Sequence, residues 1–197
     1  MIHGTAIRAI AALALSTALA GCISFGAKPP PSLLTLQPGS PIPAGTQSAA
    51  GANTITIAVP SVPAEIAALR VPVRSSATTV AYLKDAVWVE PPNRLFARLL
   101  SDTVTSRTGR VVVGNRLMGE PGATMAGELR SFGVDATSSS VVVTFDAALI
   151  RGSGRSLEKR RFEATVPVAV IAPGPVGVAL NQAANQVAGE VADWVGR

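Results

Sequence analysis

The chain has 197 residues, 48% of them hydrophobic, and its 17 Lys and Arg against 12 Asp and Glu give a formal net charge of +5. Its one histidine, His3, and its one cysteine, Cys22, both lie near the amino terminus, so everything after Cys22 lacks imidazole and free thiol. That excludes Ser-His-Asp and Cys-His catalysis and the usual zinc sites.

The acids are scattered, with no paired-carboxylate or phosphate-loop spacing, so no enzymatic activity, cofactor or metal site is expected. The mild positive charge is not interleaved with aromatics, which argues against nucleic acid as a partner.

Arg8 and the amino terminus form a positive n-region, and Ala9 to Ala20 is an unbroken run of apolar or small residues. That run has the length of a signal-peptide h-region and is too short to span a bilayer. It ends in Leu19-Ala20-Gly21-Cys22, the pattern of a bacterial lipoprotein box. The small residues let a membrane-embedded peptidase close around the backbone. The thiolate of Cys22 is nucleophilic enough to take a diacylglycerol as a thioether. Residues 1–21 are therefore expected to be a lipoprotein signal peptide. Cys22 would then carry diacylglycerol and an N-acyl chain (palmitate, for instance). At about 0.8 kcal/mol per buried methylene, several such chains hold a protein on a membrane. Ile23 stands where an aspartate would signal inner-membrane retention. Its presence favours the outer membrane, on the periplasmic face. An ordinary secretory signal, or a short buried helix with a chance cysteine, is the alternative.

Residues 22–52 read as a Pro/Gly-rich tether, with Pro29, Pro30, Pro31, Pro38, Pro41 and Pro43 and a single charge, Lys28. Such a composition favours extended, semi-rigid spacers. Leu33-Leu34-Thr35-Leu36 interrupts it and suits a short edge strand. The folded body is expected over 53–197, one domain in size. Ile55, Ile57 and Val59 alternate as one face of a strand, closed by Pro60 and Pro63. Val71 and Val73, then Val80 to Leu83, suit short strands. Trp88-Val89-Glu90-Pro91-Pro92 leads into an amphipathic helix from about Asn93 to Thr108, with Leu95, Phe96, Leu99, Leu100 and Val104 as its apolar stripe. Gly109 is placed to cap it in the left-handed conformation, and Arg107 suits the negative end of its dipole. Val111 to Val113 reads as a short strand buried on both faces.

From 125 to 171 the pattern is an antiparallel meander: a first strand broken by Gly127 and Gly133, a second over Val141 to Ile150, and a third carrying Phe162, Ala164, Val166, Val168 and Val170 on one face. Pro167 marks the third as an edge or a bulge. Pro173-Gly174-Pro175 breaks the pattern, and a last helix is expected from about Val178 to Val195 as a lid on the sheet. The fold class that results is α+β: an antiparallel sheet of about four to six strands with two amphipathic helices packed on one face.

Outside the lipoprotein box, the surface candidates are few. Arg151, Arg155, Lys159, Arg160 and Arg161 cluster around the turn at Gly152-Ser153-Gly154. They suit anionic headgroups or an acidic partner, at roughly 1 kcal/mol per base near a charged surface, or simply a solvated hairpin tip. Trp88 and Trp194 suit a partner surface or, as large aromatics at helix ends commonly do, the core. Glu90 either caps the helix or pairs with an arginine. Asn181 to Gln186 form a polar strip that faces a partner or water.

In order and spacing these segments resemble the ABC-type transport auxiliary lipoproteins, a family that includes the lipoprotein of the paraquat-inducible operon. The residues that carry the likeness are the box at Leu19 to Cys22, Leu34-Thr35-Leu36 and Ile57 to Pro60. Trp88, Glu90 and Pro91 before Leu95, Leu99 and Leu100 match its most recognisable segment. Gly127, Leu129 and Phe132 follow, then Trp194-Val195. Leu34 stands where the family commonly has tyrosine. The resemblance implies a lipid-anchored accessory or docking component, serving a mammalian-cell-entry (MCE) protein with its permease and ATPase in lipid transport between membranes. Direct contact with phospholipid, in a groove between helix and sheet, and self-association are left open by it. The competing expectation is an envelope-assembly lipoprotein that helps to insert lipopolysaccharide or outer-membrane barrels.

Overall fold

A computed structural model describes residues 32–42, 44–50, 53–114, 121–152 and 156–196. The lipoprotein box, Leu19 to Cys22, and Arg155 lie outside the described residues. In chain order the elements are β1 (Thr54–Ile57), α1 (Ala64–Ala67), β2 (Arg70–Arg74), β3 (Val80–Val87), α2 (Pro92–Thr108), β4 (Val111–Val112), β5 (Ala123–Asp135), β6 (Ser140–Arg151), β7 (Leu157–Pro167) and α3 (Pro173–Val195).

The fold is α+β, as the patterning implied, but the sheet has seven strands and is mixed. β5, β6 and β7 form the expected antiparallel meander. The other edge of β5 is divided: β1 pairs with its first part and β2 with its last part, both parallel. β4 adds to β1 in parallel, and β3 adds to β2 antiparallel. These parallel pairings explain why the expected purely antiparallel sheet of four to six strands falls short. They join segments far apart in sequence, and short apolar runs carry no sign of which strand they will meet. Among the described residues there are also three helices, the third being the single turn of α1 between β1 and β2.

β5 is continuous through both glycines that were expected to break it. It runs through Gly127 because the ring of Phe145 on β6 lies across that glycine: a Cβ there would sit 2.6 Å from Phe145 Cε2 and 2.3 Å from the Asp146 carbonyl oxygen. A register shift between Leu129 and Ser131 then inserts Arg130 as an extra residue. A bulge of this kind resets the alternation, which is why Leu129 and Phe132, three apart, are both buried.

One face of the sheet carries the core. Phe96 of α2 meets Phe145 edge-on at 5.3 Å between ring centroids and Phe132 at 6.5 Å, while Phe162 of β7 meets Trp194 of α3 at 5.5 Å. Rings thus fill this part of the interface between helices and sheet. α2 ends as expected, with Gly109 at φ 69° donating its N–H to the Thr105 carbonyl. α3 begins five residues earlier than the pattern suggested, at Pro173. Prolines in a first turn forfeit no helix hydrogen bond, because those N–H groups have no partner inside the helix. β4 is a half-buried strand paired only with β1, where burial on both faces was expected.

Candidate functional site

Two regions hold the residues that the sequence singled out: the junction around Trp88, and the β6–β7 hairpin.

Trp88 is 1% exposed and packs on Phe132 with centroids 5.5 Å apart. Its backbone N–H donates to the Leu69 carbonyl at 3.0 Å. Across it, Leu34 N–H donates to the Val87 carbonyl at 2.8 Å and Val89 N–H to the Leu34 carbonyl at 2.9 Å, a one-residue parallel bridge. Glu90 forms an ion pair with Arg98, nearly two turns into α2. The Trp-x-Glu-Pro segment is therefore a junction that fixes the ends of β2 and β3, the start of α2 and residue 34. It is structural, as the core reading of Trp88 and the arginine-pairing reading of Glu90 had it.

From Leu34 the chain runs as a strap along α3, within the stretch read as a tether. The Leu34 side chain lies over Gly177, where a Cβ would come within 2.8 Å of it. Leu36 is buried. Gln37 N–H donates to Asn181 Oδ1 at 2.8 Å, and Gly39 N–H to Asn185 Oδ1 at 2.7 Å. Asn185 Nδ2 returns a bond to the Gln37 carbonyl at 2.9 Å. The polar strip of the last helix thus holds the protein's own amino-terminal segment. Composition pointed to a spacer here. The apolar Leu33-Leu34-Thr35-Leu36 and the asparagines one helical turn apart were the signs of a bound segment.

The basic cluster divides. Arg151 has the same parity as Leu149 and Ala147 and so reaches to the helix side of the sheet. Its Nη1 donates to the Val195 carbonyl at 2.9 Å and its Nη2 to the Trp194 carbonyl at 2.8 Å, while Nε meets Glu158 at 3.0 Å. Those are the last carbonyls of α3, which have no partners within the helix, at the negative end of its dipole. Arg151 is a helix cap. Arg160 lies over the Phe162 ring at 4.9 Å. Arg161 points to the opposite, helix-free face and grips Asp146 with two bonds, Nε to Oδ1 at 2.6 Å and Nη2 to Oδ2 at 2.7 Å. This bond, with the charges of Arg161, Arg130 and Lys159 around it, holds the Asp146 carboxyl below its ordinary range. Lys159 alone of the four described bases is exposed without a direct bond to a carboxylate or a ring. The hairpin is thus not a single basic tip.

A groove of about 160 Å³ opens beside α1, β2 and the second half of β5, floored by Ile66, Phe132 and Val134 and rimmed by Glu65, Arg74 and Arg130. Pockets for small molecules start at roughly 300 Å³, so it has room for a side chain or a few methylenes only. Among the described residues there is no cluster of His, Cys, Asp and Glu fit for a metal, and no helix is long and apolar enough to cross a membrane.

No curated protein matches the chain. Among solved structures, the fold is similar to that of a Xanthomonas campestris protein assigned to DUF330, with a TM-score of 0.66 at 22% identity over 83% of this chain and 93% of that one. A second similar crystal structure, of an uncharacterized protein, has a TM-score of 0.65 at 16% identity, over 83% of this chain and 99% of that one. The pattern of the ABC-type transport auxiliary lipoprotein component matches residues 34–192. That match starts at the first residue of the strap and runs through the Trp88 junction, the meander and most of α3. The chain belongs to the ABC-type transport auxiliary lipoprotein family.

Proposed function

We propose that the protein is a non-enzymatic docking component of an ABC-type, MCE-class lipid transport system, held on the periplasmic face of the outer membrane by acyl chains on Cys22. The family match over 34–192 carries the transport part of this reading. The lipoprotein box at Leu19 to Cys22 carries the anchoring part. The body fits the role of a holder. Arg151 caps α3, Glu90 pairs with Arg98, Asn181 and Asn185 hold the strap, and ring contacts tie the helices to the sheet.

In this reading the ATPase and permease supply the work, an MCE protein carries the lipid, and this chain fixes where that carrier meets the membrane. The test is a crosslinked purification from membranes of cells producing the full chain or Cys22→Ala. Recovery of an MCE protein with the full chain from the outer-membrane fraction, and loss of membrane attachment in Cys22→Ala, are expected. A barrel-assembly or lipopolysaccharide-insertion protein in place of the MCE protein would overturn the transport reading. An unchanged membrane fraction for Cys22→Ala would overturn the anchoring.

A further inference from the structure

Three loops meet at one end of the sheet, and none of them carries a charge. Residues 75–79 join β2 to β3, 136–139 join β5 to β6, and 168–172 join β7 to α3. Ala136 N–H donates to the Arg74 carbonyl and Val168 N–H to the Ser139 carbonyl, which sets the loops side by side. Arg74 and Asp135, which close β2 and β5, are engaged with Glu65 and with the Thr137 N–H. From 167 to 180 the chain holds only Pro, Val, Ala, Ile, Gly and Leu. Within that run Val170 and Val178 are 60% and 71% exposed, more than any other large apolar side chain among the described residues.

The opposite end differs in kind. Ile150 and Leu157 are exposed there too, but among Arg151, Glu158 and Lys159. An exposed apolar surface marks a protein partner or a membrane, and the path of the chain decides between them. Leu34 lies over Gly177 in the second turn of α3, so the segment from Cys22 joins the body at the uncharged end, through the half-exposed Leu33. We infer that this end is lowered onto the bilayer that holds Cys22, with Val170, Val178 and Leu33 entering the boundary between headgroups and acyl chains. This rests on the anchoring proposed above.

The backbone suits such a place. Pro173 and Pro175 have no N–H, so two of the donors that a helix start ordinarily leaves unpaired are missing. An N–H without a partner is costly in apolar surroundings. With no base in the contact, attachment of this end is reversible. It is also indifferent to salt and to anionic lipid, unlike a surface held by Lys and Arg.

An environment-sensitive fluorophore tests this on the full acylated chain in vesicles of phosphatidylethanolamine and phosphatidylglycerol. It is attached at Val170→Cys, at Val178→Cys or, toward the opposite end, at Lys159→Cys; acylation blocks Cys22, so each label is unique. Quenching by nitroxide-bearing lipid is expected to be several-fold stronger at 170 and 178 than at 159, and quenching by aqueous iodide correspondingly weaker, at low and high salt alike. Equal quenching at all three sites, stronger lipid quenching at 159, or lipid quenching lost in salt overturns the inference. Protection from iodide without lipid quenching means that protein covers this end, and overturns it as well. Flotation with the vesicles checks the anchoring separately. Should the chain fail to float, the anchoring reading falls, and the same quenching on a Cys22→Ala chain ligated at its amino terminus to a synthetic lipopeptide decides the inference by itself.

Discussion

Asn185 grips the backbone around Gly39 from two sides, its Oδ1 accepting the Gly39 N–H at 2.7 Å and its Nδ2 donating to the Gln37 carbonyl at 2.9 Å. One side chain on a helix thereby supplies an acceptor and a donor to an extended segment, much as a neighbouring strand would. Without it, and without Asn181 one turn earlier, the strap keeps only Leu34 and Leu36 as anchors.

Replacing Asn185 by Ala should therefore loosen residues 36–42 before it affects the sheet. With each net hydrogen bond contributing about 0.5–1.5 kcal/mol, and these partly exposed, a loss of about 1–2 kcal/mol is expected. Limited proteolysis should cut near Gly39 several-fold faster than in the parent chain, while the far-ultraviolet circular dichroism stays unchanged.

Arg151→Ala removes both bonds to the final carbonyls of α3 and the bond to Glu158. Hydrogen bonds to charged groups contribute about 1.5–3 kcal/mol in total effect when lost, so a drop of about 2 kcal/mol in unfolding free energy is expected. Lys159→Ala, next in sequence to Glu158 but bonded to nothing directly, should stay within about 0.5 kcal/mol of the parent. Urea unfolding of both variants makes the comparison. Equal effects would contradict the division of the basic cluster.

Gly127→Ala puts a methyl where the Phe145 ring and the Asp146 carbonyl already lie. Neither can withdraw without disturbing the β5–β6 ladder and the ring cluster with Phe96. A loss of about 3 kcal/mol or more is expected, at the upper end for overpacking, read as a lowered melting temperature or failure to accumulate.

The carboxylates give opposite pH signs. Asp146 titrates below its ordinary 3.8 because Arg161 hydrogen-bonds its charged form, and Asp135 does so chiefly because the Thr137 N–H bonds to it. Each contributes stability that is complete above pH 3.8 and is lost as the pH falls through its lowered folded value. Asp102 is raised by burial, with Arg98 pulling the other way. Its charged form is disfavoured in the fold, so acid relieves that cost as the pH falls through its raised value. Asp146→Asn should cost about 0.5–1 kcal/mol at neutral pH, modest because the Arg161 partner is 59% exposed and solvent screens such pairs. That cost should shrink to nothing well below pH 3.8, measured by denaturant unfolding across the acid range.

The sequence disclosed most where structure is local. The alternation Phe162, Ala164, Val166 and the helical stripe of Leu95, Phe96, Leu99, Leu100 and Val104 each specify a face, and those faces are the ones buried. The capping role of Gly109 was legible for the same reason. What escaped depends on distant chain. Ile55 says that a strand passes, but not that it lies parallel between Val112 and Ala123. Asn185 is a polar residue on a polar face until Gly39 arrives beside it. Arg151 was grouped with its basic neighbours by sequence proximity, although its parity with Leu149 already set it on the helix side. Gly127 and Gly133 hid the continuity of β5, and the bulge at Arg130 shifts Phe132 out of step with Leu129.

The clasp at Leu34 also limits how far the body can stand from a bilayer. For a chain acylated at Cys22, only the dozen residues before Leu34 form a leash, and at full stretch they span about 40 Å. A leash running all the way to residue 52 would reach more than twice as far. Shortening or lengthening the chain between Cys22 and Leu34 should alter the height at which the body meets its neighbours, whereas the same change between Gly39 and Asn53 should leave that height as it was.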